Sequence, residues 1–139
     1  YIIKKLSFAK IPYCIGRIFS TTNKNQKKNY LVPDLKNRIK KSKKKIVLKN
    51  LNHYRDFISM EDISKIIFVL FKKNFCGILN IGTGNGIFLK NIALCIGKKY
   101  HKALEFSDND KKTYLVANIN KLKKFYKLKL YRSIEKLIF

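Results

Sequence analysis

Lys49-Asn50-Leu51-Asn52-His53-Tyr54-Arg55-Asp56-Phe57 runs directly into Ile58-Ser59-Met60-Glu61-Asp62-Ile63. One helix later comes Ile78-Leu79-Asn80-Ile81-Gly82-Thr83-Gly84. The pattern between the two pieces sets the fold class. Ser59 and Asp62 stand in the Ser-x-x-Asp order of a helix N-cap. Ile63, Ile66, Ile67, Leu70 and Phe71 then recur on one helical face. Gly77 is placed to stop that helix, and Ile78 to Ile81 is a short apolar strand. A further helix is predicted from Phe88 to about Ile96, ended by Gly97.

The alternation continues in both directions. Upstream, Tyr1 to Ala9 reads as the end of an amphipathic helix. Ile11 to Phe19 is a continuous apolar run, the pattern of a strand buried in a parallel layer. Val32 to about Lys41 forms a helix, with Pro33 and Asp34 in its first turn. Ile46 to Leu48 is a short strand, and the stretch from Lys49 to Asp56 a loop. Downstream, Ala103 to Phe106 is a strand, with short helices over Ile119 to Phe125 and Ile134 to Phe139. Strands alternating with helices imply an α/β architecture, with Ile11–Phe19 and Ile78–Ile81 in one parallel layer.

The composition raises a different possibility. Lys and Arg total 32 against 8 Asp and Glu, a net charge of +24 over 139 residues. Such an excess attracts phosphate backbones and anionic surfaces. The lysines are spread along the chain, however, and only Lys40-Lys41-Ser42-Lys43-Lys44-Lys45 is dense. The reading is solvated surface lysine, with a basic nucleic-acid-binding module as an alternative. Hydrophobic content of 46% suffices for a packed core and argues against disorder. Cys14, Cys76 and Cys95 lack metal-ligand spacing and sit in apolar runs, which fits buried free thiols in a reducing compartment. No metal site, signal peptide or membrane span is read. Tyr1 begins in mid-pattern, as in a portion of a longer chain.

These motifs, in this order, resemble the C-terminal, substrate-binding portion of the extended short-chain dehydrogenases/reductases, the NAD-dependent epimerase/dehydratase family acting on nucleotide-sugars. Arg17-Ile18-Phe19-Ser20-Thr21-Thr22 is similar to the family's Arg-x-Phe-Asn strand end, with Ser20 where the family has Asn. The Gly-Pro that follows in the family is Asn23-Lys24 here. Leu31-Val32-Pro33-Asp34-Leu35 resembles the start of the helix beside the nucleotide base. Lys49-Asn50-Leu51 through Arg55-Asp56-Phe57 resembles the Gly-Asn-Leu-x-x-x-Arg-Asp stretch of GDP-sugar members, the GDP-4-keto-6-deoxymannose reductases and GDP-mannose 4,6-dehydratases. Val116 to Lys121 is similar to the family's Ala-Asp-x-Ser-Lys stretch. The second phosphate-binding Arg of the family is missing: Ser107-Asp108-Asn109-Asp110 stands in its place, with Lys111 or Lys112 as substitutes.

The resemblance carries specific expectations. The fold would be the last parallel strands of a Rossmann-type domain plus a small mixed α/β substrate-binding region, with residues 1–139 forming one partial domain. Arg55 would bind the substrate diphosphate, since a planar guanidinium grips phosphate through two parallel donors and never loses its charge. Ser20, Thr21, Val32, Pro33 and Asn50 would line the nucleotide-sugar site, Ser20 and Arg55 sharing a cleft. Phe19 would touch the nicotinamide. Asp56 and Asp62 would hold Arg55 or the neighbouring helix start. NAD or NADP would bind mainly to the N-terminal half, outside this chain. The full-length enzyme would be a cytoplasmic homodimer, with no membrane or specific nucleic-acid partner. No catalytic residue is assigned here. Tyr1 and Lys5 have the spacing of the family's Tyr-x-x-x-Lys, but Lys5 lies too near Arg17 in sequence for that role. His53 and His101 have no partner pattern.

The glycine loop supports a rival. Leu79 to Gly86 also resembles the first motif of class I S-adenosylmethionine methyltransferases, where a strand, a glycine turn and a helix N-terminus cradle the cofactor. Those enzymes carry an acid where Asn80 sits, and Glu105 and Asp108 come late for their second acid. The simpler reading of Gly82 to Gly86 is a tight turn between strand and helix.

Overall fold

The computed structural model describes residues 1–23, 25–43, 45–107, 109–127 and 134–139. Lys24, Lys44 and Asp108 lie outside the described residues. Helix α1 (Ile2–Phe8) leads into strand β1 (Cys14–Ile18). Next come β2 (Ser20–Thr21), α2 (Leu31–Lys41), β3 (Lys45–Lys49), β4 (His53–Arg55) and β5 (Phe57–Ile58). The chain continues through α3 (Met60–Lys72), β6 (Gly77–Ile81), β7 (Ile87–Phe88), α4 (Leu89–Lys99), β8 (Ala103–Ser107) and β9 (Thr113–Leu115). It ends in α5 (Asn120–Lys123) and α6 (Ile134–Ile138).

The expected parallel pair forms. β1 runs beside β6, in register from Cys14 opposite Gly77 to Ile18 opposite Ile81. The Phe19 N–H then donates to the Ile81 carbonyl at 3.0 Å. One residue on, β2 changes partner: Ser20 lies opposite Phe57 and Thr21 opposite Ile58. The strand that begins in the parallel layer is thereby handed to the segment that follows Arg55. A separate parallel pair joins β3 to β8, and β4 runs antiparallel to β7 and parallel to β9.

Two cores hold these pieces. The first unites Val32, Leu35 and Ile39 of α2 with Leu48, Leu51, Phe57 and the α4 residues Leu89, Ile92, Ala93 and Ile96. The second unites Ile63, Ile66 and Leu70 of α3 with Leu79, Ile81, Ile58, Ala117, Ile119 and Leu122. Each buried Leu or Ile contributes about 1.5–3 kcal/mol relative to exposure. Phe57 belongs to one core and Ile58 to the other, because successive strand side chains point to opposite faces. β5 therefore rivets the two cores together, directly after Arg55 and Asp56.

Several expectations are corrected. The 11–19 run is a strand only from Cys14, and it is not fully buried: Ile11 is 51% exposed and Ile18 50%. Between β1 and α3 an apolar groove stays open, lined by Tyr13, Ile18, Ile67, Phe71 and Phe75. Ile67 and Phe71 thus face that groove's mouth instead of the core. Cys14 and Cys76 line the same groove and are exposed, while Cys95 is half-buried; all three are free thiols. α3 ends at Lys72, and Gly77 opens β6 instead of stopping the helix. Gly97 lies within α4, which continues to Lys99. A Cβ there would stand 2.8 Å from Leu104 Cδ1, so the missing side chain serves close helix–strand packing. The stretch read as loop before Asp56 contains β4. Among the described residues no helix is long and apolar enough to cross a membrane.

Candidate functional site

Arg55 and Asp56 are neighbours in extended chain, so their side chains diverge. Asp56 is fully buried. Its Oδ1 accepts from the Thr83 N–H at 2.8 Å and the Thr83 hydroxyl at 2.5 Å. Its Oδ2 accepts from the Gly84 N–H at 2.9 Å and the Ala117 N–H at 3.1 Å. One carboxylate thus ties together the end of β5's approach, the glycine turn and the segment before α5. Gly82 permits the approach: a Cβ there would meet Ala117 Cβ at 2.5 Å and Asp56 Oδ2 at 2.7 Å. Gly84 adopts φ 75°, the left-handed region.

This arrangement decides how the glycine loop is read. The N–H groups of Thr83 and Gly84, which a phosphate or cofactor would require, are spent on Asp56. The turn passes into β7 before α4 begins at Leu89. The loop is a structural lock, and the strand–turn–helix cradle of the methyltransferase reading is not formed.

Arg55 is held differently. Its Nη1 donates to the Tyr54 carbonyl at 2.8 Å and to Thr113 Oγ1 at 3.0 Å. Both acceptors are neutral. Neither Asp56 nor Asp62 pairs with it: Asp62 donates its N–H to Ser59 Oγ at 2.9 Å and accepts from the Ser59 hydroxyl at 2.9 Å, completing the predicted α3 cap. Among the described residues no carboxylate lies within ion-pair reach of Arg55. With both Nη1 protons engaged, the Nε/Nη2 edge remains, and that edge offers two parallel donors of the kind phosphate takes.

The other sequence-predicted positions fall into three groups. Ser20 and Thr21 are half-buried and lie against Phe57 and Ile58, so register brings them alongside the Arg55–Asp56 segment. Val32 is 2% exposed and sits in the first core, so any ligand contact from this position falls to its backbone. Pro33 is half-buried in the first turn of α2, and Asn50 is exposed at a turn with φ 58°. Among the described residues no hydrogen bond joins Val32, Pro33 or Asn50 to Arg55. Phe19 is half-buried and packs on the second core. No group of three or more metal-ligating side chains occurs among the described residues.

Two residues were missed by sequence reasoning. His53 does have partners: Thr113 Oγ1 lies 2.9 Å from its Nδ1, and Asp110 pairs with its Nε2. Thr113 is sixty positions away in sequence, so only the β4–β9 pairing reveals it.

The model of the NAD dependent epimerase/dehydratase family matches residues 4–82, the stretch that carries β1, Ser20, Arg55, Asp56 and the first glycine of the turn. The chain belongs to that family. Among curated proteins no sequence match is found. Solved structures share the fold of this epimerase/dehydratase family member. dTDP-glucose 4,6-dehydratase from Bacillus anthracis, in complex with NAD, superposes with a TM-score of 0.80 at 18% identity, over 98% of this chain and 46% of that one. RMD from Pseudomonas aeruginosa, complexed with NADPH, gives 0.78 at 12% identity, over 98% and 48%. UDP-N-acetylglucosamine 4-epimerase from Methanobrevibacter ruminantium, in complex with UDP-N-acetylmuramic acid, gives 0.78 at 16% identity, over 99% and 47%. The family member described here spans a little under half the length of each.

Proposed function

We propose that this chain is the substrate-binding portion of an NAD(P)-dependent nucleotide-sugar epimerase, dehydratase or reductase, with a GDP-sugar as substrate. The observation that carries the reading is Arg55, anchored by neutral acceptors through Nη1 alone and without a carboxylate partner among the described residues. A guanidinium so placed is free to take an anionic ligand, and a diphosphate matches its remaining edge. Ser20 supplies a hydroxyl beside the same segment, and Thr21, whose Oγ1 is buried, adjoins it. Pro33, Asn50 and the Val32 backbone complete the nucleotide side of the site.

NAD(P) supplies hydride transfer when bound, in keeping with the NADPH and NAD in the RMD and dehydratase structures. Within this chain Phe19 is offered to it, as an apolar surface for the nicotinamide. The dinucleotide loop and a Tyr-Lys pair for moving the sugar hydroxyl proton belong to a half beyond residues 1–139. The work of this portion is to bind the diphosphate and fix the sugar's position against that chemistry. The active enzyme is proposed as a cytoplasmic homodimer. The methyltransferase reading is not favoured, since the glycine turn is occupied by Asp56.

The test is the diphosphate requirement. Calorimetric titration of the complete protein with GDP and with guanosine should give binding that needs the phosphates, and Arg55→Ala should remove most of the difference. Equal affinity for GDP and guanosine would overturn the assignment of Arg55. Tighter binding of UDP or dTDP than GDP would overturn the choice of base.

A further inference from the structure

We propose that Thr113 and His53 are positioning residues that hold Arg55 in its ligand-ready pose, an inference that rests on the diphosphate reading of Arg55. The geometry starts from β4. His53 and Arg55 are two residues apart in a strand and share a face, while Tyr54 points the other way. On that other face the Tyr54 ring is stacked between Phe88, at 4.9 Å, and Tyr114, at 4.8 Å. The aromatic stack fixes β4 against β7 and β9. Register then sets Thr113 directly opposite His53 and one diagonal from Arg55. A single hydroxyl meets both: 2.9 Å to His53 Nδ1 and 3.0 Å to Arg55 Nη1.

With the His53 ring neutral, the donors and acceptors run in one direction. The Asp110 carboxylate only accepts, so His53 Nε2 carries a hydrogen toward it. In the neutral ring Nδ1 is then bare and accepts the Thr113 hydroxyl hydrogen. The Thr113 oxygen is left with its lone pairs and accepts from Arg55 Nη1. The order is therefore Arg55 to Thr113 to His53 to Asp110. Each group satisfies the next, and the last anchors the relay with a negative charge that never touches Arg55 itself. An arginine side chain is long and flexible, and holding its plane before the ligand arrives removes part of the ordering cost of binding. A carboxylate placed directly on Arg55 would hold it as well but would compete with the phosphate. The relay places that charge two side chains away.

The experiment is a double-mutant cycle on the complete protein, read by calorimetric titration with GDP. Thr113→Val should weaken GDP by about three- to tenfold, the scale of one lost hydrogen bond. Thr113→Ser, which keeps the hydroxyl, should bind within about twofold of wild type. In an Arg55→Ala background, Thr113→Val should have no further effect, because its only route to the ligand has been removed. His53→Ala, at the far end of the relay, supplies a second variant should Thr113→Val melt early, and should show the same dependence on Arg55. Wild-type affinity in both Thr113→Val and His53→Ala, with Arg55→Ala weakened, would overturn the positioning role and leave the diphosphate reading standing. An equal loss for Thr113→Val with and without Arg55 would also overturn it. Wild-type affinity in Arg55→Ala would overturn the diphosphate reading and this inference with it.

Discussion

Replacing Asp56 with asparagine keeps the shape of the side chain and removes one acceptor position from a closed site. The carboxylate takes two donors on each oxygen: the Thr83 N–H and hydroxyl on one, the Gly84 and Ala117 N–H groups on the other. An amide has one oxygen for these two pairs. Its better orientation leaves the oxygen toward Gly84 and Ala117 and turns the NH2 toward Thr83. The Thr83 hydroxyl adapts, since it already lies 3.4 Å from the Asn85 carbonyl and can donate there. The Thr83 N–H cannot adapt and faces another donor. One orphaned, buried N–H costs about 1–3 kcal/mol, and the remaining bonds lose their charge assistance, about 1 kcal/mol more. Water cannot enter to help, because Asp56 is fully buried and Gly82 leaves no room beside it. The expected loss is about 2–4 kcal/mol, a large share of the roughly 5–15 kcal/mol that stabilises a folded protein. Urea unfolding followed by far-UV circular dichroism measures it, with the slope unchanged. Asp56→Ala, which strands all the donors, should lose more. A loss below about 0.5 kcal/mol for Asp56→Asn, typical of an ordinary surface substitution, would refute the reasoning.

Gly82→Ala should destabilise more than Gly16→Ala. The new methyl at 82 meets Ala117 and the pinned Asp56, whereas at 16 it meets the tip of the Ile81 side chain at 2.5 Å, which can swing aside; paired melting curves compare them. Ser59→Ala removes the α3 cap, in which Ser59 accepts the Asp62 N–H at 2.9 Å, and should cost about 1 kcal/mol, or roughly 3 °C in Tm. Partial desolvation against the groove wall, and then the neighbouring Cys76, raise the Cys14 thiol above its ordinary pKa although the residue is exposed, and burial foremost raises the half-buried Cys95. Only the thiolate attacks, so iodoacetamide labelling of both, followed by mass spectrometry across pH, should lag a free cysteine near neutral pH and keep rising beyond the usual thiol range.

Much of the parallel layer was legible because its signals are local. The apolar runs before Ser20 and Gly82 mark β1 and β6, and the Ser59–Asp62 spacing marks the start of α3 with its cap. What could not be read depends on pairing across long separations. β4 is His-Tyr-Arg, three polar or amphipathic residues with no alternation, and becomes a strand only because β7 and β9 flank it. Asp56 sits next to Arg55 in sequence, which suggested a partnership; extended backbone points them apart and gives Asp56 to the glycine turn instead. His53 looked partnerless because Thr113 and Asp110 arrive from a distant segment. Gly97 looked like a stop signal because its packing against Leu104 is a tertiary fact. Cys14 and Cys76 looked buried because apolar sequence was equated with covered surface, and the groove beside β1 is open.

The central claim is that Arg55 serves the nucleotide-sugar and not the dinucleotide. The most direct measurement is a pair of calorimetric titrations on the complete protein, wild type and Arg55→Ala, one with a GDP-sugar and one with NAD(P). Loss of a charge-assisted diphosphate contact should weaken the GDP-sugar by about 2–3 kcal/mol, roughly 30- to 150-fold, and leave NAD(P) affinity within about twofold. Weakened NAD(P) with GDP-sugar affinity intact would contradict the account.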